Sequence, residues 1–167
     1  MQAYIKDKYA ALIDRIEGDP RYRFLQGDVA DPQTVRQALD GCEAVAHFAA
    51  ETHVDRSITD AIPFLRTNIE GTHVLLQEAR ALGIRRVLHV STDEVYGSIE
   101  RGSFTEESTL DPRSPYSASK AAADHFAMAY AKTYGLKVKI TRSVNYYGPN
   151  QYPEKLIPFF IVRSMEN

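Results

Sequence analysis

Strand-like and helix-like segments alternate along this chain, and few architectures accommodate that order. Residues 3–17 carry apolar side chains at helical spacing (Tyr4, Ile5, Tyr9, Leu12, Ile13, Ile16) until Gly18-Asp19-Pro20 breaks the pattern. Arg21 to Gln26 alternates as a strand does and stops at Gly27-Asp28. Asp31-Pro32 opens a short helix, with Asp as N-cap and Pro at the first helical position. It runs to about Leu39 and ends at Gly41. Glu43 to Phe48 predicts a short buried strand. A long helix is predicted over roughly 60–82, with Asp60 as its cap. Its main apolar residues are Ile62, Leu65, Ile69, Val74, Leu75 and Leu82, and Gly83 closes it. Arg86 to Ser91 is the clearest strand. A polar loop with Gly97, Gly102, Pro112 and Pro115 follows. Helix returns near Pro115, continues to about Tyr134 and closes at Gly135. Leu136 to Ser143 predicts another strand, residues 147–153 a loop, and a last helix begins near Glu154. The alternation predicts βαβ units and an α/β fold with a mostly parallel, doubly wound sheet.

Composition narrows what such a sheet serves. At 167 residues the chain has the length of one domain, and its formal net charge of -2 offers no basic stretch for nucleic acid. No apolar run reaches the length of a membrane span. The segment Met1-Gln2-Ala3-Tyr4-Ile5-Lys6-Asp7 lacks the apolar core of a signal peptide, so a cytoplasmic protein is expected. A single cysteine, Cys42, excludes an internal disulfide framework and a Cys-based zinc site. His53 has no second His at metal spacing, and no metal site is expected. No Gly-x-Ser-x-Gly elbow is present, which argues against a typical α/β-hydrolase.

In parallel sheets the chemistry gathers at the C-terminal ends of strands. Four stretches fall there. Tyr116-Ser117-Ala118-Ser119-Lys120 puts a phenol and an ammonium four residues apart on one helix face, where the cation would favour a phenolate base. Tyr4 and Lys8 share that spacing with nothing catalytic nearby, so spacing alone fits a surface pair equally well. Ser91-Thr92-Asp93-Glu94 follows the best strand. Two neighbouring carboxylates that differ in solvation can serve as acid and base, while a simple turn after the strand is the plainer alternative. Ala49-Ala50-Glu51-Thr52-His53-Val54-Asp55-Arg56-Ser57 lets a ligand approach the backbone closely, or is a capped loop before a helix. Asn145-Tyr146-Tyr147-Gly148-Pro149 and Pro153-Glu154-Lys155-Leu156-Ile157-Pro158 offer an amide and a lysine at a helix start, suited to a sugar and a phosphate, or form an ordinary loop and cap.

Together these stretches resemble the extended short-chain dehydrogenase/reductases, a Rossmann-like, NAD-dependent epimerase/dehydratase family. The carrying residues are Arg21-Tyr22-Arg23-Phe24 with Gly27-Asp28-Val29, His47 through Ser57, and Ser91-Thr92-Asp93-Glu94-Val95-Tyr96-Gly97. Ser114 through Lys120 and Tyr147-Gly148-Pro149 through Pro158 complete them. Within the family the match is strongest to its dTDP-glucose 4,6-dehydratase branch, because the Thr-Asp-Glu triplet is uncommon elsewhere. The resemblance implies NAD as cofactor and a nucleotide-linked glucose as substrate. Tyr116, lowered in pKa by Lys120 and the cofactor's charge, would take the 4-OH proton while the C4 hydride passes to NAD. Thr92 would orient that hydroxyl, Glu94 would remove the C5 proton, and Asp93 would protonate the departing 6-OH. The hydride would return to C6, giving a 4-keto-6-deoxy sugar with no net redox change. By the same resemblance Asp28 and Val29 would face the adenine. Phe48, Ala49, Ala50 and Thr67 would line the cofactor, with Lys120 on its ribose. Thr52, Thr92, Asn145, Lys155 and Leu156 would contact the sugar nucleotide. A homodimer is expected of the full-length enzyme.

The sequence departs from the family at both ends. Its nine glycines are scattered (18, 27, 41, 71, 83, 97, 102, 135, 148), and none forms the Gly-x-x-Gly-x-x-Gly turn that seats a pyrophosphate. The expected fold is therefore a Rossmann-like sheet lacking its first βαβ unit, with strands near 22–26 and 44–48 left without their usual neighbour. A substrate-covering C-terminal region is likewise not expected within these residues, and by the resemblance Tyr146 stands where such dehydratases carry a second Asn. We expect either a fragment of a dehydratase or a truncated, non-catalytic interaction partner. As an isolated chain it is expected to show little NAD binding and no turnover. A sugar-nucleotide epimerase or decarboxylase of the same superfamily is the alternative within enzymes.

Overall fold

The computed structural model describes residues 16–148, 151 and 155–166. The helix expected over residues 3–17 lies almost wholly outside them. The chain divides into two compact units, Leu25–Val144 and Met1–Phe24 with Asn145–Asn167.

The larger unit is a parallel three-stranded sheet with helices packed on it. Helix α1 (Pro32–Leu39) precedes strand β1 (Ala44–His47). Two short helices, α2 (Val54–Thr59) and α3 (Ile62–Phe64), lead through a π-helical stretch (Leu65–Glu70) into α4 (Gly71–Ala81). Strand β2 (Arg86–Thr92) ends in one 3₁₀ turn (Asp93–Tyr96), and α5 (Pro115–Tyr134) leads to β3 (Lys137–Ser143). The order is β1-β2-β3, all parallel, with His47 beside His89 and Thr92 beside Ser143. Among the described residues both β1 and β3 are edge strands.

Local chemistry explains most of these boundaries. Asp31 caps α1 as expected, its carboxylate accepting from the backbone N–H of Gln33 and Thr34, with Pro32 behind it. Ser114 and Ser117 form a reciprocal capping box at the start of α5, and Gly135 ends it at φ 71°. Asp60 accepts from the N–H of Ile62 at 3.0 Å, which starts the next helical run.

Two expectations fail. No strand forms over 21–26; residues 22–28 are irregular. Alternation is a local property, but a ladder needs a partner, and no described strand lies beyond β1. The segment 60–82 is not one regular helix either. Its π-helical stretch holds an extra residue per turn and shifts the buried stripe. Of the apolar residues at helical spacing, Ile62, Leu65 and Leu82 are exposed and Val74 and Leu75 buried, while Phe64, Asn68 and Thr72 are buried too. The Ala49–Ser57 stretch, for which a capped loop was one option, contains helix α2.

The core lies between the sheet and α1, α4 and α5, around Val35, Leu39, Val45, Leu76, Ala79, Val87 and Ala127. Arg36 reaches from α1 to the buried Glu78 of α4, Nε to Oε2 2.7 Å. Gly71 lets α4 approach Val29 closely: a Cβ there would lie 2.5 Å from its Cγ1. On the opposite sheet face Ala44, Ala46, Arg86, Leu88, Lys137 and Lys139 line an open concavity of about 520 Å³. It follows the first three residues of each strand, away from the C-terminal edge.

In the smaller unit, helix α6 (Leu156–Met165) exposes an apolar surface that includes Leu156, Phe160 and Met165. No helix among the described residues is long and apolar enough to cross a membrane.

Candidate active site

Strand β2 delivers the first group of polar side chains. Thr92, its last residue, caps the 3₁₀ turn by accepting from the Glu94 N–H at 3.3 Å. The turn separates the neighbouring carboxylates: Asp93 is half-buried and Glu94 is exposed. Val95 and Tyr96 anchor the turn in a small apolar cluster with Ala121, Phe104 and Leu110. The chain leaves through Gly97 at φ 84°, where a Cβ would lie 2.3 Å from the Asp111 carbonyl oxygen.

Helix α5 delivers the second group. Tyr116 and Lys120 occupy successive turns of one face and are both buried. The Tyr116 N–H donates to Ser57 Oγ at 3.0 Å, and that hydroxyl donates to the Val54 carbonyl. The Tyr116 carbonyl accepts from Ser119 Oγ at 2.7 Å. Ser119 accepts in turn from Asn68 Nδ2 at 2.8 Å. Asn68 also grips the backbone of Glu51, N–H to Oδ1 2.8 Å and Nδ2 to carbonyl 3.0 Å. Phe64 meets the Tyr116 ring edge-on, 6.3 Å between centroids. Ser57 and Ser119 lie within the candidate stretches without a role assigned to them, and Asn68 lies outside them. The available signal was a polar residue inside a helical apolar stripe: Phe64, Asn68 and Thr72 repeat every four residues.

The electrostatics differ from the expectation for Tyr116. Burial raises its phenol above the ordinary tyrosine value, the Glu94 carboxylate raises it further, and hydrogen bonding from Thr92 opposes both. Lys120 lies one helical turn from Tyr116. The residue is 4% exposed, and its ammonium donates to the Val90 carbonyl at 2.7 Å. Burial pulls the Lys120 pKa down, and Asp124, one turn further along α5, pushes back.

Below these groups lie two buried histidines, His47 and His89, their rings 5.4 Å apart. His47 Nε2 lies 3.0 Å from Thr72 Oγ1. Burial, then the neighbouring His89 and Lys120, depresses the His47 pKa to about 3. The unfolded ring takes up a proton near pH 6.5, so in this window the unfolded chain binds more protons than the folded one. Stability should therefore fall with pH below 6.5, by about 2 kcal/mol at roughly pH 5. Denaturant unfolding across this range measures the slope, and His47→Gln should flatten it.

The remaining candidate residues distribute unevenly. Phe48, Ala49 and Thr52 are exposed beyond β1, and Ala50 is half-buried. Thr67 is half-buried in the π-helical stretch. Asp28 accepts from Arg66 Nη2 at 2.8 Å and from the Ala30 N–H at 2.8 Å, while Val29 leans on the core. The larger unit thus brings Thr92, Asp93, Glu94, Tyr116 and Lys120 to the C-terminal edge of the sheet, beside the loop after β1. Asn145, Lys155 and Leu156 belong to the smaller unit. There Asn145 and Leu156 are exposed and Lys155 is the N-terminal flanking residue of α6.

A parallel α/β sheet with Thr-Asp-Glu closing one strand and Tyr-x-x-x-Lys opening the next helix defines a Rossmann-like dehydratase/epimerase scaffold. The chain belongs to the GDP-mannose 4,6 dehydratase family, whose model matches residues 3–167. It is 50% identical over 158 residues to the dTDP-glucose 4,6-dehydratase of Streptomyces antibioticus, covering 95% of this chain and 47% of that one. A trifunctional UDP-glucose 4,6-dehydratase/UDP-4-keto-6-deoxy-D-glucose 3,5-epimerase/UDP-4-keto-L-rhamnose-reductase of Arabidopsis thaliana is 49% identical over 152 residues, covering 87% of this chain and 23% of its own. Among solved structures, DesIV, a dTDP-glucose 4,6-dehydratase from Streptomyces venezuelae with NAD bound, superposes with a TM-score of 0.88. It is 54% identical and covers 94% of this chain and 49% of its own. The chain spans about half the length of the curated relatives it matches.

Proposed function

We propose that this chain carries the acid–base machinery of an NAD-dependent nucleotide-sugar 4,6-dehydratase acting on dTDP-glucose. One observation carries the reading: the Thr92-Asp93-Glu94 turn and the Tyr116/Lys120 face converge on one edge of a parallel sheet. An epimerase needs no acid and base for dehydration, whereas a dehydratase needs both beside a tyrosine.

The described residues fit part of the cofactor. Ala49 and Ala50, with one-carbon side chains, leave the backbone after β1 open to close approach, and the buried Lys120 ammonium suits a ribose hydroxyl. Phe48, Thr67, Asp28 and Val29 would flank the remainder. The sequence holds no Gly-rich turn for the pyrophosphate. When bound, the dinucleotide supplies the reversible oxidation at the sugar C4. The chain's own residues handle the protons. Tyr116 takes the 4-OH proton, with Thr92 orienting that hydroxyl. Glu94, exposed to the incoming sugar, takes the C5 proton. Asp93, half-buried beside it, gives a proton to the departing 6-OH. Thr52, Asn145, Lys155 and Leu156 are proposed to bind the sugar nucleotide. A homodimer and a cytoplasmic location belong to the same reading and rest on the resemblance.

The test is a chimera in which this chain replaces the matching stretch of the Streptomyces antibioticus relative. Given NAD and dTDP-glucose, it should form the 4-keto-6-deoxy sugar nucleotide, seen as loss of one water by mass spectrometry. A folded chimera that binds NAD and forms no such product would overturn the proposal. UDP-glucose assayed in parallel tests the choice of nucleotide.

A further inference from the structure

We propose that Arg142 is a positioning residue that fixes the turn bearing Asp93 and Glu94 from behind. Arg142 lies near the end of β3, level with Ser91 of β2. Its Nε donates to Asp124 Oδ2 at 2.8 Å, and its Nη1 donates to the Tyr96 hydroxyl at 2.9 Å. The anchor is firm. Asp124 is fully buried on α5, and its other oxygen lies 3.2 Å from His89 Nε2 on β2. Burial works to raise the Asp124 pKa, but the nearby His89, the Arg142 hydrogen bond and the Ser91 hydroxyl outweigh it and lower it below the usual value.

The other end of the link is the turn itself. Tyr96 is its last residue, two positions after Glu94. The Tyr96 ring stacks on Phe104 with 5.2 Å between centroids, and the Arg142 guanidinium sits 5.2 Å from the same ring. A planar guanidinium can hold a carboxylate and a phenol in fixed directions at once, which an ammonium does not. Besides the Thr92 cap, Gly97 N–H bonds to the Glu94 carbonyl at 3.2 Å and Asp111 N–H to the Val95 carbonyl at 3.0 Å, all of them ties on the turn's backbone that leave its far side to Tyr96. The Asp124–Arg142–Tyr96 link therefore sets where the two carboxylates stand relative to Tyr116, although none of the three need touch substrate.

Hydrogen exchange on the 167-residue chain tests the link independently of any reaction. Tyr96→Phe removes one hydroxyl and keeps the stacked ring. It should speed exchange at the Gly97 and Asp111 amides about ten-fold and leave the α4 amides unchanged. Arg142→Lys keeps a cation beside Asp124 but loses the second arm, and should do the same. Unchanged exchange at those two amides, or an equal rise throughout the chain, would overturn the proposal. A kinetic arm rests on the dehydratase reading. In the chimera, Tyr96→Phe should slow loss of water about ten-fold, leave KM unchanged, and let the 4-keto sugar with its 6-hydroxyl accumulate. Equal slowing of both steps, or of neither, would count against Arg142. No product from the unmodified chimera would count against the dehydratase reading only.

Discussion

Tyr116→Phe in the chimera is expected to lower turnover by about 100- to 10,000-fold while leaving the fold intact. The reasoning begins with what holds the ring. The Tyr116 backbone is bonded through Ser57 and Ser119, and its ring edge meets Phe64. Phenylalanine keeps all three contacts. What it loses is the oxygen proposed to receive the 4-OH proton. The structure also specifies the state of that oxygen. Burial and the Glu94 charge hold the phenol above its ordinary pKa, so at neutral pH it carries its proton until positive charge reaches it. Lys120 is the cation one helical turn along from Tyr116, and its bond to the Val90 carbonyl holds it in place. Lys120→Met should therefore impair turnover as well. A Tyr116→Phe enzyme within ten-fold of the parent chimera would remove Tyr116 from the reaction.

Glu94→Gln should separate the reaction into halves. Glutamine cannot take the C5 proton, so loss of water should fall by a factor on the order of 100 to 10,000. Oxidation at C4 should persist. Glu94 is one of the charges that raises the Tyr116 pKa, and neutralising it eases ionisation of the phenol. The expected product is a 4-keto sugar nucleotide that keeps its 6-hydroxyl and does not exchange its C5 hydrogen with deuterated solvent. Full activity in Glu94→Gln would assign the C5 base elsewhere, with Asp93 as the next candidate.

Much of this arrangement could be read from local sequence. Asp31-Pro32 marked the start of α1, and Pro115 and Gly135 bracketed α5, because caps and breakers act within a few residues. Tyr116 and Lys120 could be placed on one face because helical spacing is fixed. The failures came where the outcome depends on distant partners. Arg21 to Gln26 alternates like a strand, but its ladder would have to be supplied by other residues. The phase of the 60–82 segment shifted through an inserted π-helical residue that apolar spacing does not report. Asn68 is illegible for the same reason: an asparagine in a helix gains its meaning from Glu51 and Ser119. Arg142, a strand residue, gains its meaning from Asp124 and Tyr96, 18 and 46 positions away.

Asn68 bonds residues 17 and 51 positions away along the chain. Closing loops of that size costs entropy that only the finished tertiary structure repays. The seat of Tyr116 is therefore a long-range product, present only where the segments around Glu51, Asn68 and Ser119 are together. A substitution at Asn68 would be felt at Tyr116, 48 positions away, through Ser119 and the Glu51 backbone.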